Sequence, residues 1–254
     1  MLRVERQGAV LRLTLNRPEV RNAFNDELIA ALSETFAEIV AGSASGIRAA
    51  VLSGEGKAFC AGGDLEWMRQ AADYTPEQNF EDALRLARLF EAIATCPAVV
   101  IARVHGAAFG GGCGLVACSD VALCDPDCKF AFSEVRLGLL PATISPFVIP
   151  KIGAGHARAL FSTGEAFGAE RALRIGLVHE VVPLEGLDGA VEEKVAAVLA
   201  AGPAASAKAK RIAQSGAMSL EQAAKVLADA RSSEEGKEGV AAFLEKRKPN
   251  WTED

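Results

Sequence analysis

Val99-Val100-Ile101-Ala102-Arg103-Val104-His105-Gly106-Ala107-Ala108-Phe109-Gly110-Gly111-Gly112-Cys113-Gly114-Leu115 is the stretch on which the fold turns. Its first six residues are a continuous apolar run of strand length, interrupted only by Arg103 and closed by His105-Gly106. Three glycines follow, and the Ala/Val/Leu segment behind them reads as a short helix. A strand that runs through glycines into a helix leaves N–H groups free at the positive end of the helix dipole, a site for an oxyanion. A phosphate can use the same device. However, the run lacks GK[ST], and it is not a strand–GxGxxG–helix fingerprint with an acidic residue at the expected distance.

The same order of strand, loop and helix recurs on both sides. Val10–Leu15 alternates in polarity as a strand does and runs into Asn16-Arg17-Pro18. Asn25 then caps a helix with Asp26 and Glu27 in its first turn and a stripe of Leu28, Leu32, Phe36, Ile39 and Val40. Residues 49–52 read as a buried strand. Thr75-Pro76-Glu77-Gln78 is a capping box with proline at the first helical position, ahead of Leu84, Leu86, Leu89, Phe90 and Ile93. Val121–Cys124 and residues 129–132 and 177–182 are further short strands. This alternation makes the fold class α/β. Beyond Leu187 the pattern is helical, over residues 190–201, 204–215, 220–233 and 239–246. We place a division at residue 195, between a core of residues 1–195 and a helical region of residues 196–254.

With 254 residues, half of them hydrophobic, the chain is long enough to bury a large core. A net charge of −6 argues against a broad nucleic-acid or anionic-membrane surface. The six cysteines form no CxxC pair, and the N-terminus lacks the apolar core of a signal peptide. The expectation is therefore buried, reduced thiols in a cytoplasmic protein. No apolar run reaches membrane-spanning length.

Two more segments bear chemistry. In residues 56–65 (GKAFCAGGDL), Gly62-Gly63 lets the backbone approach a ligand closely, and Asp64 and Glu66 can cap the helical turn behind it. A plain strand-to-helix turn has the same composition. In residues 129–141 (KFAFSEVRLGLLP), Glu134 follows a short apolar strand. Desolvation there raises a carboxyl pKa and suits it to proton transfer. A Glu134–Arg136 surface pair is the alternative. Each segment taken singly leaves the function open.

Together, and in this order, they resemble the enoyl-CoA hydratase/isomerase (crotonase) superfamily. Asn16-Arg17-Pro18 with Arg21-Asn22-Ala23 is similar to its N-terminal signature. Residues 56–65 resemble its first oxyanion loop, residues 109–113 its second, and Glu134 with residues 135–141 its catalytic strand end. Thr163-Gly164-Glu165 with residues 169–182, and Phe243-Leu244-Glu245-Lys246-Arg247 near the C-terminus, extend the likeness over nearly the whole chain. The resemblance implies a spiral of ββα repeats carrying the CoA-thioester site, and a C-terminal helical region that builds homotrimers, often paired into hexamers. It implies that Gly63 and Gly111 donate two N–H groups to a thioester oxygen, with Glu134 beside the substrate's α-carbon. Arg21, Ala23, Ala61, Asp64 and Leu65 would line the adenine and pantetheine part of the site, and Trp67, Met68 and Leu140 the acyl pocket. Coenzyme A enters as part of the substrate; no metal, redox cofactor, nucleic acid or membrane partner is implied.

One departure matters. Hydratases of this family hold the added water between two glutamates, and the first should follow Cys113, where this chain has Gly114. Three readings follow. Glu134 alone directs hydration, with Ser133, Thr143 or the substrate helping to hold the water; or the enzyme is a Δ3,Δ2-enoyl-CoA isomerase; or it is a non-catalytic CoA-ester-binding scaffold. Residues 134–146 with Gly114-Leu115-Val116 are similar to bacterial methylglutaconyl-CoA or carboxygeranoyl-CoA hydratases, which favours the first reading. Such substrates carry a distal carboxylate, for which Arg69 and Arg136 are the expected cations.

Overall fold

The computed structural model describes residues 1–42, 44 and 46–252. Strand β1 (Leu2–Gln7) is an exposed edge that pairs antiparallel with β2 (Val10–Leu15), whose alternate side chains are buried. Helix α1 (Asp26–Val40) starts where expected, with the Asn25 side chain accepting from the Leu28 N–H. It buries Leu28, Ile29, Leu32, Phe36 and Ile39, each worth roughly 1.5–3 kcal/mol. Val40, assigned to the same stripe, is exposed at the helix end.

Strand β3 (Ala49–Gly54) leads to α2 (Leu65–Ala71) and to α3 (Pro76–Thr95), which begins with the expected capping box. β4 (Val99–Val104), β5 (Ala107–Phe109) and α4 (Gly111–Cys118) follow. Next come β6 (Val121–Cys124), β7 (Lys129–Ala131), a 3-10 turn at Glu134–Leu137, and α5 (Ser145–Thr163), which is kinked at Gly153. β8 (Phe167–Gly168), α6 (Ala169–Arg174), β9 (Glu180–Val181) and α7 (Leu184–Ala200) complete the core. The large sheet has the order β1-β2-β3-β4-β6-β9 and a small one the order β5-β7-β8. Past the first hairpin every pair in the large sheet is parallel. Each turn of chain thus gives one strand to the large sheet, one to the small sheet, and then a helix: β4-β5-α4, then β6-β7-α5. This is the expected ββα spiral. Cys60 joins the small sheet through a bridge to Ala108, so the turn that starts at β3 follows the same rule.

The main core lies between the sheets and α1, α3, α4 and α5. The other face of the large sheet presents Val10, Ala49, Val51, Ile101 and Leu123, covered by Leu187, Val191 and Val195 of α7. The division expected at residue 195 therefore falls inside a continuous helix, and the chain offers a break only after Ala200. The sequence reading started this helix late because Gly186 and Gly189 interrupt its apolar pattern. Helices α8 (Pro203–Gln214), α9 (Leu220–Ser232) and α10 (Glu234–Glu245) follow, and of their side chains only Ala242 is buried. All six cysteines are buried and unpaired. Among the described residues no helix is long and apolar enough to cross a membrane.

Candidate active site

The site is assembled around Asn22, fully buried in a left-handed conformation (φ 57°). Its Oδ1 accepts from the Arg17 N–H at 2.8 Å, and its Nδ2 donates to the carbonyls of Glu55 and Ala58, both at 2.8 Å. One amide thereby joins the N-terminal turn to the loop after β3. Arg17 extends the joint, donating to the Ala23 carbonyl at 2.6 Å and to Asp64 at 2.7 Å. The other Asp64 oxygen caps α2 by accepting from the Glu66 N–H. Burial pushes the Asp64 pKa up, but the Arg17 guanidinium and the backbone N–H groups outweigh it, and the net shift is downward. Asp64 is thus a fully engaged structural anion.

The two glycine loops are laced together by backbone. Phe59 N–H donates to His105 carbonyl at 2.9 Å, Cys60 N–H to Ala107 at 3.1 Å, and Phe109 N–H to Cys60 at 3.0 Å. On the other side, Phe24 donates to the Gly62 carbonyl at 2.7 Å and accepts from the Asp64 N–H at 2.8 Å. These two bonds use the groups flanking Gly63, so its own N–H points to the opposite edge, away from Phe24. Gly111 is the first residue of α4, where an N–H has no intrahelical acceptor. Among the described residues neither N–H has a partner. The loops meet so closely that Gly62 adopts φ 95° and a Cβ on Gly112 would overlap the Cys60 carbonyl.

Glu134 enters from β7 at the start of the 3-10 turn. A Cβ built on Gly110 would lie 3.2 Å from Glu134 Oε1, so the carboxylate rests against the turn that presents Gly111. Its Oε2 is buried with no hydrogen-bond partner, and burial pushes its pKa up. The alternative Glu134–Arg136 pair is not formed. Arg136 is exposed and packs instead at Gly164, where a Cβ would lie 3.2 Å from its Cγ.

These parts line one cavity of about 590 Å³. Arg21, Ala23, Ala61, Asp64 and Leu65 lie on one side of it, with Gly63. Gly111, Glu134 and Leu140 complete the set expected from the sequence, and Trp67, Met68, Ser133 and Thr143 also face it. The Trp67 indole N–H is buried without a partner. Arg69 and Arg136 do not line the cavity; Arg69 pairs with Glu66 on the surface of α2. Arg21 is the cation that does, with Glu19 also in the lining. A larger groove of about 910 Å³ along the start of α3 holds none of these residues. No cluster of three or more His, Cys, Asp or Glu able to hold a metal occurs among the described residues.

The space beside Gly114 is filled. A Cβ there would lie 2.8 Å from two carbons of the Phe90 ring and closer still to Ile144 Cγ2. Phe90 and Ile144 are both in the main core, and sequence reasoning assigned neither a part in the site. Nothing local signals this contact, because the three positions come from α3, α4 and the entrance to α5.

The model of a family described as enoyl-CoA hydratase/isomerase matches residues 5–254. A crotonyl-CoA hydratase of Syntrophomonas wolfei is 31% identical over 255 residues, covering 98% of this chain and 96% of its own length. The crystal structure of an enoyl-CoA hydratase from Shewanella pealeana has a TM-score of 0.94 at 37% identity, covering 98% of this chain and 95% of that one. An enoyl-CoA hydratase/isomerase from Marinobacter aquaeolei has a TM-score of 0.91 at 37% identity, with 99% of each chain covered.

Proposed function

Because the chain belongs to the enoyl-CoA hydratase/isomerase family, we propose that it adds water across the α,β double bond of an acyl-CoA thioester, with Glu134 as its proton-transferring side chain. The observation that carries this reading is Glu134 Oε2, buried and unpartnered in the same cavity as the free N–H groups of Gly63 and Gly111.

The thioester oxygen accepts from the two N–H groups. Ionised Glu134 takes one proton from water as the water oxygen bonds to Cβ, and the double-bond electrons move through Cα to the thioester oxygen as an enolate. Glu134 then returns that proton to Cα, so water ends as a β-hydroxyl and a Cα–H added to the same face. Negative charge on the oxygen exists only along this path, so the donors stabilise the transition state above the ground state. One such donor is worth about 3–4 kcal/mol. The apolar seat that raises the Glu134 pKa makes its carboxylate a stronger base toward water in the first step and lets the acid form hold the proton until Cα takes it. The reaction as written uses no metal or redox cofactor; coenzyme A is part of the substrate. Arg21, Ala23, Ala61 and Leu65 hold its adenine and pantetheine end, and Asp64 fixes their geometry by capping α2 and binding Arg17.

The methylglutaconyl-CoA-like substrates implied by resemblance need a cation near a distal carboxylate. With Arg69 and Arg136 outside the lining and Arg21 at the CoA end, no other cation lines the cavity among the described residues, and methylglutaconyl-CoA becomes one member of a substrate panel. Exposed Leu220, Leu227, Val240, Phe243 and Leu244 support assembly of the helical C-terminus into a homotrimer or hexamer, read out by light scattering. A cytoplasmic setting fits six buried thiols kept reduced.

One observation favours a second reading. With the space at Gly114 closed, Glu134 is the carboxylate that rests against the turn presenting Gly111, and one carboxylate suffices to move a proton between carbons in a Δ3,Δ2-enoyl-CoA isomerase. Separate incubation with a panel of 2-enoyl-CoA and 3-enoyl-CoA esters decides between them. Conversion of the 3-enoyl esters without hydration of any 2-enoyl ester overturns the hydratase. Glu134→Gln is expected to lower kcat by about 10²–10⁴-fold. A protein that binds CoA esters equally with and without this change, and turns over none, is a scaffold.

A further inference from the structure

Resting on the hydratase reading, we propose that the Thr143 hydroxyl is a catalytic residue that holds the attacking water opposite Glu134. Hydration by one carboxylate leaves a gap in the chemistry. Glu134 takes one hydrogen of the water, but the second hydrogen and the oxygen lone pair must also be oriented toward Cβ. The resemblance assigns that work to an acid at position 114, and the packing forbids any side chain there: Phe90 and Ile144 occupy the space.

The group that fills the space also delivers the substitute. Ile144 is buried against Gly114, and the residue immediately before it, Thr143, lines the cavity with Glu134. The segment is held on both sides. Leu139 N–H donates to the Glu134 carbonyl at 3.0 Å, and Ser145 Oγ donates to the Ala142 carbonyl at 2.8 Å. Phe147 and Val148 N–H groups donate to the Ile144 carbonyl at 3.1 and 3.0 Å. Thr143 therefore sits on a pinned stretch at the entrance to α5, and its hydroxyl has no hydrogen-bond partner among the described residues.

Of the other polar lining groups, Asp64 is bound to Arg17, Glu19 and Arg21 belong to the N-terminal turn, and the Trp67 indole N–H, buried without a partner, only donates and so cannot accept the second water hydrogen. Ser133 faces the cavity too, but it is the chain neighbour of Glu134, on the same turn. A water gripped for directed attack needs a partner from another segment of the lining, and Thr143, on the stretch that enters α5, supplies one. One water hydrogen passes to Glu134 and then to Cα. The other is donated to Thr143 Oγ1 and stays in the product as the β-hydroxyl hydrogen.

The experiment compares T143V, T143S and S133A in hydration of a 2-enoyl-CoA, with affinity for the saturated butyryl-CoA as the control for packing. T143V is isosteric and is expected to lower kcat by about 10–100-fold through loss of water orientation, with KM and butyryl-CoA affinity little changed. T143S keeps the hydroxyl and is expected to restore most of the rate. If the wild type also isomerises a 3-enoyl-CoA, T143V is expected to leave that reaction intact, since no water takes part. Equal losses in T143S and T143V, a parallel loss of butyryl-CoA affinity, or a larger loss in S133A overturns the assignment. Wild-type hydration left untouched by T143V overturns Thr143 alone. A wild type that isomerises and hydrates nothing overturns the hydratase with it.

Discussion

Gly114→Ala places one carbon where Phe90 ring atoms would lie 2.8 Å away and Ile144 Cγ2 nearer still. Both neighbours are core residues, at 0% and 1% exposure, so neither can turn aside into solvent. Overpacking of this kind costs about 1–3 kcal/mol, and the clash on two sides puts it at the upper end. Gly114 lies within α4, so alanine recovers up to about 1 kcal/mol of helix propensity. The net expectation is a loss of about 2 kcal/mol, or about 4–8 °C in Tm for a chain of this size. Gly114→Glu adds a carboxylate in apolar contact, at a cost of several kcal/mol more, and is expected to lower hydration rather than rebuild a two-acid site. Urea denaturation of Gly114→Ala, Ile144→Ala and the double variant forms the test. Removing the Ile144 branch makes room, so the two changes should couple favourably by about 1–3 kcal/mol. Strict additivity with an unchanged Tm, or a folded Gly114→Glu protein that hydrates faster than wild type, would refute the view that packing closed this position.

Burial raises the Glu134 pKa in the folded protein above its ordinary 4.5, so its stabilising share is complete below that value and is lost as pH rises through the raised one. Glu134→Gln should therefore gain Tm on wild type from acid to neutral pH, and the acid limb of wild-type kcat/KM should lie above the usual carboxylate range. A constant Tm difference across that window would contradict it. Lys151 is half-buried, with its ammonium donating to the carbonyls of Val116, Ala117 and Ser119 at the end of α4, and desolvation depresses its pKa from 10.5 to about 8. With Asp120, Cys118 and His179 nearby, wild type should gain stability relative to Lys151→Met between about pH 8 and 10.5, seen as a diverging urea midpoint. Asn22→Ala leaves the Arg17 N–H and two carbonyls without their partner in a left-handed backbone, at about 3 kcal/mol or more; Asn22→Gly should be milder by about 1 kcal/mol. An alanine variant as stable as wild type in urea would remove Asn22 from the frame of the site.

What could be read from the sequence was what is local in the chain. Caps at Asn25 and Thr75 declare themselves within four residues, and a glycine loop before a helix exposes N–H groups whatever the rest of the fold does. For that reason the eleven residues assigned to the oxyanion donors, the carboxylate, the CoA end and the acyl pocket line one cavity, whereas Arg69 and Arg136, the cations expected for a distal carboxylate, do not. Helix α5 went unread because Pro146, Pro150 and Gly153 break its pattern, although proline in the first turn is compatible with a helix and Gly153 marks a real kink. β1 went unread because its side chains are almost all exposed and carry no apolar alternation. Asp64 was assigned to the substrate, and its ion pair with Arg17, 47 residues away, was outside any local pattern.

The same division explains the state of the chemistry. Glycine at position 114 tells a reader that an acid is missing, but only the packing of α3, α4 and α5 tells what took its place. A vacancy there would admit water and leave room for a single substitution to restore the two-acid arrangement. A filled position excludes both, and ties the identity of residue 114 to that of Ile144, and through the chain to the placement of Thr143 in the cavity that Glu134 lines. Residues 114, 143 and 144 should then change together or fail singly. The coupling energy between positions 114 and 144, set beside the hydration rate of T143V, measures whether the loss of the acid and the exposure of the hydroxyl are one structural event.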